Sequence, residues 1–280
     1  MLQESTPAPF TSRPKISIVI PTFNAGQTLG ACLRSISEQT YQDIEVLILD
    51  ALSSDDTLDI AKDFAGRFKF IAIFAEADSG IYDAMNKGLQ RAEGEWLYFL
   101  GADDRLCESS TIENVVRHLN VNTDLFYGNV FHEGQNRIIG GPFDIDRILE
   151  KTICHQAMFY RKTLCDTVGH FNLDFKVCAD WDYNLRCLSK TKQVRYADVT
   201  VCNYSGTGFS SVTEDEHFHE NKYRLAAKYF AVGMLNRLFT ICRYAFHKKA
   251  VGLFLEKQWL KGGYFYGLYL FHAVRNKIAM

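Results

Sequence analysis

The sequence, 280 residues long, predicts an α/β fold: a doubly wound, mostly parallel sheet followed by a basic helical C-terminal appendage. Two observations predict the sheet. Short apolar runs alternate with stretches of helical apolar spacing, and polar or acidic residues follow the first strands. The appendage is predicted from the concentration of positive charge and aromatic rings near the C-terminus. We therefore expect a disordered leader at residues 1–14, a main domain at 15–212 and a helical tail at 213–280.

Strand and helix alternate regularly through the first hundred residues. Strands are predicted at Ile16–Ile20, Glu45–Leu49, Phe70–Phe74 and Trp96–Leu100, with helices around Leu29–Ile36, Leu58–Phe64 and Ile81–Arg91 between them. Helical crossovers make successive strands parallel, so that the residues after each strand meet at one edge of the sheet.

The second half of the main domain is less regular. Helices are predicted at Ser109–Asn120, Ile145–Lys151 and from Val177 onward, and strands at Leu125–Phe131, Arg137–Gly140, Ala157–Arg161 and Thr200–Tyr204. The glycine- and serine-containing segment Ser205–Ser211 reads as a mobile loop.

The amino-acid composition restricts the cellular compartment and the classes of binding partner that we expect for this protein. The eight cysteines form no C-x-x-C pair, and no run of eighteen apolar residues occurs, which favours a reduced cytoplasmic protein without a conventional membrane span. The net charge of -2 conceals a basic segment, 221–280, with eleven Lys and Arg residues against the single acid Glu256. The acidic remainder is a poor candidate for binding nucleic acid.

The most informative stretch is Glu93–Leu106, in which an apolar strand ends in two small residues and then two adjacent carboxylates, Asp103 and Asp104. At a strand end this pair could hold Mn²⁺ or Mg²⁺, which prefer oxygen ligands and take their remaining ligands from water and phosphate. The alternative is an ordinary solvated loop before a helix.

Glycine-rich phosphate sites are missing from the sequence. No G-x-G-x-x-G follows the first strand, and no G-x-x-x-x-G-K-[ST] occurs, which argues against dinucleotide and P-loop sites. A nucleotidyltransferase would need a basic glycine-rich loop after the first strand, and PTFNAGQTL has no basic residue.

With these residues in view, the chain resembles the family-two, inverting glycosyltransferases of the GT-A fold. The similar segments are SIVIPTFN, LILDALSSDDT, EADSGIYDAMNKG with AEGEWLYFLGADD, and GHFNLDFKVCADWDYNLR. This resemblance covers Lys15–Ser211 and implies that 15–212 is a GT-A catalytic domain acting on a nucleotide-sugar donor, with a UDP-sugar favoured over a GDP- or dTDP-sugar.

Site residues follow from the resemblance together with the strand-end positions. The expected donor-binding residues are Pro21, Phe23, Asn24, Asp50, Asp83, Asn86 and Asp103. The expected metal ligands are Asp103 and Asp104. Gly101 stands where many members carry a further acid, so the metal would rest on these two carboxylates alone.

The general base implied by the resemblance is Asp180, with Asp182 as the alternative. Ala179 occupies the position of the glutamate that usually precedes the base. Helix capping explains an acid at this position equally well. His155, in the segment ICHQAMFYRK, is a possible metal or phosphate contact or a structural histidine; similar H-Q segments recur in a branch of the family that builds bacterial surface polysaccharides.

The last predicted feature is the basic, aromatic-rich C-terminal tail. Residues 221–280 combine positive charge with aromatic rings, which suits a helix lying at a membrane surface, on the inner face of the plasma membrane. The alternative is a helical appendage packed on the catalytic domain. The acceptor would then be a glycan or a polyprenyl-diphosphate-linked sugar chain in O-antigen or exopolysaccharide synthesis. A noncatalytic module that binds sugar nucleotides or carbohydrate is the competing function.

Overall fold

The computed structural model describes residues 16–206 and 215–230, together with Tyr264 and Tyr266. The chain divides into two compact units. The first comprises the described residues of Met1–Pro142 and Ile153–Glu214, and the second those of Phe143–Thr152 and Asp215–Met280. The leader and most of the basic tail lie outside the described residues, so the predictions made for them remain predictions.

The first unit is built on one mixed sheet. Its strands are β1 (Ile16–Thr22), β2 (Ile44–Asp50), β3 (Phe70–Ala75), β4 (Trp96–Phe99), β5 (Arg105–Leu106), β6 (Leu125–His132), β7 (Arg137–Ile139), β8 (Met158–Arg161) and β9 (Val194–Tyr204). The α-helices with bounds in the described residues are, in order, α1 (Leu29–Ser37), α2 (Thr57–Ala65), α3 (Ile81–Arg91), α4 (Thr111–Val116), α5 (Ile145–Glu150), α6 (Lys162–Val168), α7 (Ala179–Lys190) and α8 (Glu216–Phe230).

The order of the strands confirms the predicted α/β fold. The sheet runs β3-β2-β1-β4-β8-β6-β9-β5, with β7 paired to β6. The pairs among β3, β2, β1 and β4 are parallel, as the strand-helix alternation predicts. Strand β8 is antiparallel to both β4 and β6, which makes the second half of the sheet mixed.

Helices cover both faces of the parallel half. Four apolar residues of α1 are buried in the cluster that contains Ile18 and Ile20 of β1, and α3 packs against the opposite face. Gly88 allows this approach, because a Cβ at that position would lie 2.3 Å from Cγ1 of Val19. The β1 segment is therefore buried on both faces, which is why it reads as continuous apolar sequence.

The register of the strands brings the functional loops to one edge. Thr22, the last residue of β1, lies opposite Asp50, the last residue of β2. The backbone amide of Leu100 donates to the carbonyl of Val19, so the chain after β4 leaves the sheet on the same side. The loops after β1, β2 and β4 therefore converge at the carboxyl edge.

The sequence patterns predict neither helix α6 nor the two-residue strand β5 of the first unit, and they predict only the last part of strand β9. Helix α6 is short and buries only Leu164 and Cys165, which leaves little helical periodicity to detect. Strand β9 begins at Val194, well before the predicted Thr200, because its first residues are only half-buried or exposed and form no apolar run.

The described part of the second unit consists of α5 and α8, which pack together, with Tyr264 and Tyr266 in helical conformation. Asp215 caps α8, since its Oδ1 accepts a hydrogen bond of 3.1 Å from the Phe218 amide. Among the described residues, no helix combines the length and apolarity needed to cross a bilayer.

Candidate active site

Asp50 is held firmly at the end of β2. Its carboxylate is 1% exposed and accepts hydrogen bonds from the Thr22 hydroxyl (2.9 Å), the Ser53 hydroxyl (2.6 Å) and the Ser53 amide (2.8 Å). The D-x-x-S spacing thus closes a small turn on the carboxylate and ties it to the neighbouring strand. The predicted donor-binding acid is pre-positioned at the carboxyl edge.

The loops after β1 and β2 are joined by side-chain hydrogen bonds. Oδ1 of Asn24 accepts from the Ser54 amide at 2.9 Å, the Asn24 amide donates to the Ser53 hydroxyl at 2.8 Å, and the Ala25 amide donates to the Thr57 hydroxyl at 2.7 Å. Asn24 has a left-handed backbone with φ of 49°. The side chain of Asn24 therefore connects the loop after β1 with the loop after β2.

Large apolar side chains project at the rim of this edge. Phe23 is 65% exposed and Leu52 is 57% exposed, and Leu52 has a φ of 59°, a strained value for a residue with a branched side chain. Exposed rings and strained loop residues are typical of ligand-binding edges.

The acid pair Asp103 and Asp104 is buried unequally and shares one neighbour. Oδ2 of Asp103 accepts from the Ser205 hydroxyl at 2.6 Å, and Oδ1 of Asp104 accepts from the Ser205 amide at 3.0 Å. Oδ2 of Asp104 accepts from Nε2 of Gln156 at 3.0 Å. Asp104 is 1% exposed. Segments distant in sequence therefore converge on the two carboxylates.

Burial, and after it the neighbouring charge of Asp103, together raise the pKa of Asp104 to about 6. Gly101 leaves room for this arrangement, because a Cβ there would lie 2.6 Å from Oδ2 of Asp104 and 2.8 Å from Oδ1 of Asp103. The carboxylates of Asp103 and Asp104 thus occupy the space that the side chain of an acid at position 101 would need.

The carboxylate oxygens of Asp103 and Asp104 fit a divalent cation that takes further ligands from a bound phosphate. Within the described ranges, no cluster of three His, Cys, Asp or Glu side chains forms a metal site. Asp103 and Asp104 nevertheless offer hard oxygen ligands, and a cation would offset both the burial of the Asp104 charge and its repulsion by Asp103, which raise the Asp104 pKa. A cation held by one or two carboxylates takes its other ligands from water and phosphate.

Asp180 lies in the first turn of α7 and is 9% exposed. Its Oδ1 accepts from the Trp181 amide at 2.8 Å and from the Tyr82 hydroxyl at 3.2 Å. Its Oδ2 lies 3.2 Å from Nδ1 of His155. The side chain therefore interacts with groups from three parts of the chain rather than only capping its own helix.

Asp182, the alternative base, has a structural partner. Its Oδ2 accepts from Nε of Arg186 at 2.8 Å, and the same guanidinium donates to the carbonyls of Val168 and His170. Asp182 is 1% exposed. This ion pair ties α7 to the preceding loop, so the geometry favours Asp180 for the catalytic role.

The two predicted donor contacts on α3 are also engaged. Oδ2 of Asp83 accepts from the Ser79 amide at 2.9 Å and lies 3.7 Å from Nζ of Lys87. Asn86 makes two hydrogen bonds to the backbone of Phe171, with its Oδ1 accepting at 2.7 Å and its Nδ2 donating at 3.1 Å. Both side chains hold neighbouring loops, and neither lines the pocket described next.

A mostly apolar pocket opens at the carboxyl edge. Its lining includes three predicted site residues, Pro21, Asp103 and His155. The other lining residues are Ile81, Tyr82, Met85, Phe99, Leu100, Gly101, Gln156, Lys176, Val177 and Tyr204. The pocket thus lies between Asp103 of the acid pair and the histidine that contacts Asp180.

The residues that sequence reasoning missed are Tyr82, Gln156 and Ser205. Gln156 directly follows His155 in a short 3₁₀ turn, His155–Ala157, and only its neighbour was singled out. Ser205 begins a glycine- and serine-containing segment that predicts only a mobile loop, and Tyr82 falls on a helix at ordinary apolar spacing. The H-Q dipeptide was the one available signal, since both of its side chains reach acidic site residues.

Comparison with known proteins places the chain in a family. The model for "Glycosyl transferase family 2" matches residues 17–172. A "PGL/p-HBAD biosynthesis glycosyltransferase" of Mycobacterium tuberculosis is 45% identical over 211 residues, which cover 73% of this chain and 82% of the relative.

Solved structures agree on the fold. Staphylococcus aureus TarS 1-349, in complex with UDP-GlcNAc, superposes with a TM-score of 0.70 at 18% identity, covering 91% of this chain and 81% of the TarS 1-349 chain. Mannosyltransferase PcManGT from Pyrobaculum calidifontis, in complex with GDP-Man and Mn²⁺, gives a TM-score of 0.58 at 17% identity, covering 95% and 88%. The chain is a glycosyltransferase with the GT-A fold and belongs to glycosyl transferase family 2.

Proposed function

We propose that the enzyme transfers a sugar, with inversion at the anomeric carbon, from a nucleoside-diphosphate donor to a hydroxyl of a glycan or lipid-linked acceptor. One observation carries this proposal. Asp103 of the acid pair lines the same pocket as His155, and His155 contacts the carboxylate of Asp180. Inverting transfer needs charge stabilisation at the leaving group and proton removal at the attacking hydroxyl. Asp103 lines this pocket, and His155 connects it to the carboxylate of Asp180, so an acidic group is available for each task.

The leaving-group end is the acid pair. Asp103 and Asp104 would hold Mn²⁺ or Mg²⁺, which supplies positive charge to the departing diphosphate when bound. Gln156 and Ser205 orient the two carboxylates by hydrogen bonds. Asp50, fixed by Thr22 and Ser53, is positioned to receive the nucleoside of the donor.

The acceptor end contains Asp180. Its carboxylate is oriented by Tyr82 and Trp181 and faces His155 with its second oxygen. A carboxylate held in this way supports removal of the proton from the attacking hydroxyl, either directly or through the histidine that it faces.

The comparisons favour particular substrates. TarS is described with UDP-GlcNAc and PcManGT with GDP-Man and Mn²⁺, which supports a nucleotide-sugar donor and a divalent cation. We favour a UDP-sugar. The relatives named for PGL/p-HBAD biosynthesis support an acceptor in cell-surface glycolipid or polysaccharide synthesis, including a sugar chain on a polyprenyl diphosphate.

A thermal-shift panel of UDP-, GDP- and dTDP-sugars, each with and without Mn²⁺, tests the donor. A ligand present at about 100 times its Kd should raise the Tm by about 5 to 10 °C for a protein of this size. We expect the largest increase with a UDP-sugar in the presence of Mn²⁺. No shift with any nucleotide sugar would contradict the proposal.

We also propose that residues 221–280, which lie mostly outside the described residues, bind the surface of an anionic membrane through their basic and aromatic side chains. The full chain should float with vesicles that contain anionic lipid and do so less at high salt. A chain without Arg237–Met280 should stay in the soluble fraction. An equal distribution of the two chains would count against membrane binding.

A further inference from the structure

His155 lies between Asp180 and the pocket. His155 lines the pocket with 17% of its side-chain surface exposed, whereas Asp180, with 12% exposed, is not among the lining residues. The contact between Nδ1 of His155 and Oδ2 of Asp180 is 3.2 Å long. An acceptor hydroxyl inside the pocket would therefore meet the imidazole before the carboxylate.

The carboxylate of Asp180 already receives several hydrogen-bond donors. Oδ1 is used by the Trp181 amide and the Tyr82 hydroxyl, and Oδ2 faces the imidazole. The Tyr82 hydroxyl also contacts the carbonyl of Val177. Both oxygens are thus directed toward protein groups, an arrangement suited to orienting a partner.

The contact with Asp180 determines the useful tautomer of His155. A carboxylate only accepts hydrogen bonds, so a favourable contact requires that Nδ1 carry the hydrogen. In a neutral imidazole the other nitrogen, Nε2, is then unprotonated and able to accept a proton. The same logic orients the imidazole in the acid-histidine-nucleophile triads of hydrolases.

We infer that His155 and Asp180 act as a dyad, in which Nε2 of His155 receives the proton of the acceptor hydroxyl and Asp180 orients and stabilises the imidazolium that forms. This inference rests on the proposed function and names a second residue for its acceptor end. Asp180 stays essential, but it acts through the histidine.

The proposed step balances as a single displacement. The O–H bond of the acceptor breaks, and its proton moves to Nε2 of His155. The electron pair of the acceptor oxygen forms the new bond to the anomeric carbon. The bond from that carbon to the diphosphate oxygen breaks, and its electron pair leaves with the nucleoside diphosphate. The proton on His155 is released later to solvent.

The neighbour of His155 links the dyad to the leaving-group end. Gln156 donates to Oδ2 of Asp104, and its backbone carbonyl accepts from the Tyr98 hydroxyl at 2.9 Å. The turn His155–Ala157 therefore fixes the distance between the dyad and the acid pair. The consecutive side chains of His155 and Gln156 thus contact the acceptor end and the leaving-group end of the site, respectively.

The experiment compares His155→Asn and His155→Ala with the wild-type enzyme in kcat, donor affinity and Tm. Asparagine keeps an N–H donor for Asp180 but has no basic nitrogen. If His155 receives the proton, both variants should lose about 10²- to 10⁴-fold in kcat. Their affinity for the nucleotide sugar in Mn²⁺ and their Tm should stay close to wild type. His170→Asn is the matched control, because His170 is exposed and contacts Gln90 outside the pocket.

Each other outcome is decisive. A kcat for His155→Asn within about threefold of wild type would reduce His155 to a positioning residue and overturn the dyad. A loss of donor affinity in both variants would place His155 at the phosphate end and overturn it as well. Donor binding and turnover of the wild type are measured first, since their absence refutes the proposed function itself, whereas the two preceding outcomes refute the dyad alone.

Discussion

Replacing Asp180 by asparagine is expected to lower the rate of sugar transfer by about 10²- to 10⁴-fold, with little change in donor binding. The asparagine keeps the shape of the side chain and can still accept from Tyr82 and Trp181 through its single oxygen. It cannot stabilise a proton at the acceptor end. The acid pair, which serves the donor, does not contact this side chain through any hydrogen bond described above.

Steady-state rates and a titration with nucleotide sugar in Mn²⁺ check this prediction. Asp174→Asn is the matched control, because Asp174 is an exposed acid just before α7. Turnover close to wild type in Asp180→Asn would refute the assignment. If Asp182→Asn then lost turnover at an unchanged Tm, the base would be Asp182, although its ion pair with Arg186 predicts an effect on stability first.

Replacing Asp104 by alanine is expected to abolish the part of donor binding that depends on Mn²⁺. The change removes an oxygen ligand and leaves the side-chain amide of Gln156 and the Ser205 amide without their acceptor. Isothermal titration of a UDP-sugar with and without Mn²⁺ measures the effect. Asp59→Ala is the control, since Asp59 is an exposed acid paired only with Lys62 among the ion pairs described. Unchanged nucleotide affinity in Mn²⁺ would exclude Asp104 as a metal ligand.

The same carboxylate predicts a pH dependence for cation binding. The pKa of Asp104 is raised from 3.8 to about 6, so the folded protein holds a proton there that the unfolded chain releases. Its contribution to stability is complete below the unfolded pKa and is lost as pH rises through about 6. A cation has to displace this proton at low pH but not at high pH. The increase in Tm caused by Mn²⁺ should therefore be larger at pH 7.5 than at pH 5.

The strand-end chemistry could be predicted from the sequence because it depends on local pattern. The apolar run Trp96–Leu100 ends in small residues and two acids, and a buried parallel strand delivers such acids to the edge of the sheet. The same reasoning placed Asp50 beside the end of β1, where Thr22 holds it. In these places the sequence separation between strand and functional residue is only a few positions.

The partners that orient the acids could not be predicted, because they come from distant segments. Ser205 is about a hundred positions from the acid pair, and Gln156 about fifty. Tyr82 and Asp180, which also contact each other, are 98 positions apart in the sequence. Their positions depend on how β8 and β9 join the sheet, and the mixed pairing of these strands follows from tertiary packing rather than from local periodicity.

The central claim is that Asp103 and Asp104 form the donor end of the site and that Asp180, which contacts His155 of the pocket lining, belongs to its acceptor end. It is tested most directly by titrating a UDP-sugar with Mn²⁺ into the wild type, Asp180→Asn and Asp104→Ala, with transfer measured in the same samples. We predict that Asp180→Asn binds the donor like the wild type but transfers the sugar about 10²- to 10⁴-fold more slowly, whereas Asp104→Ala loses the Mn²⁺-dependent binding. Loss of donor binding in Asp180→Asn, or its retention in Asp104→Ala, would contradict this division of roles.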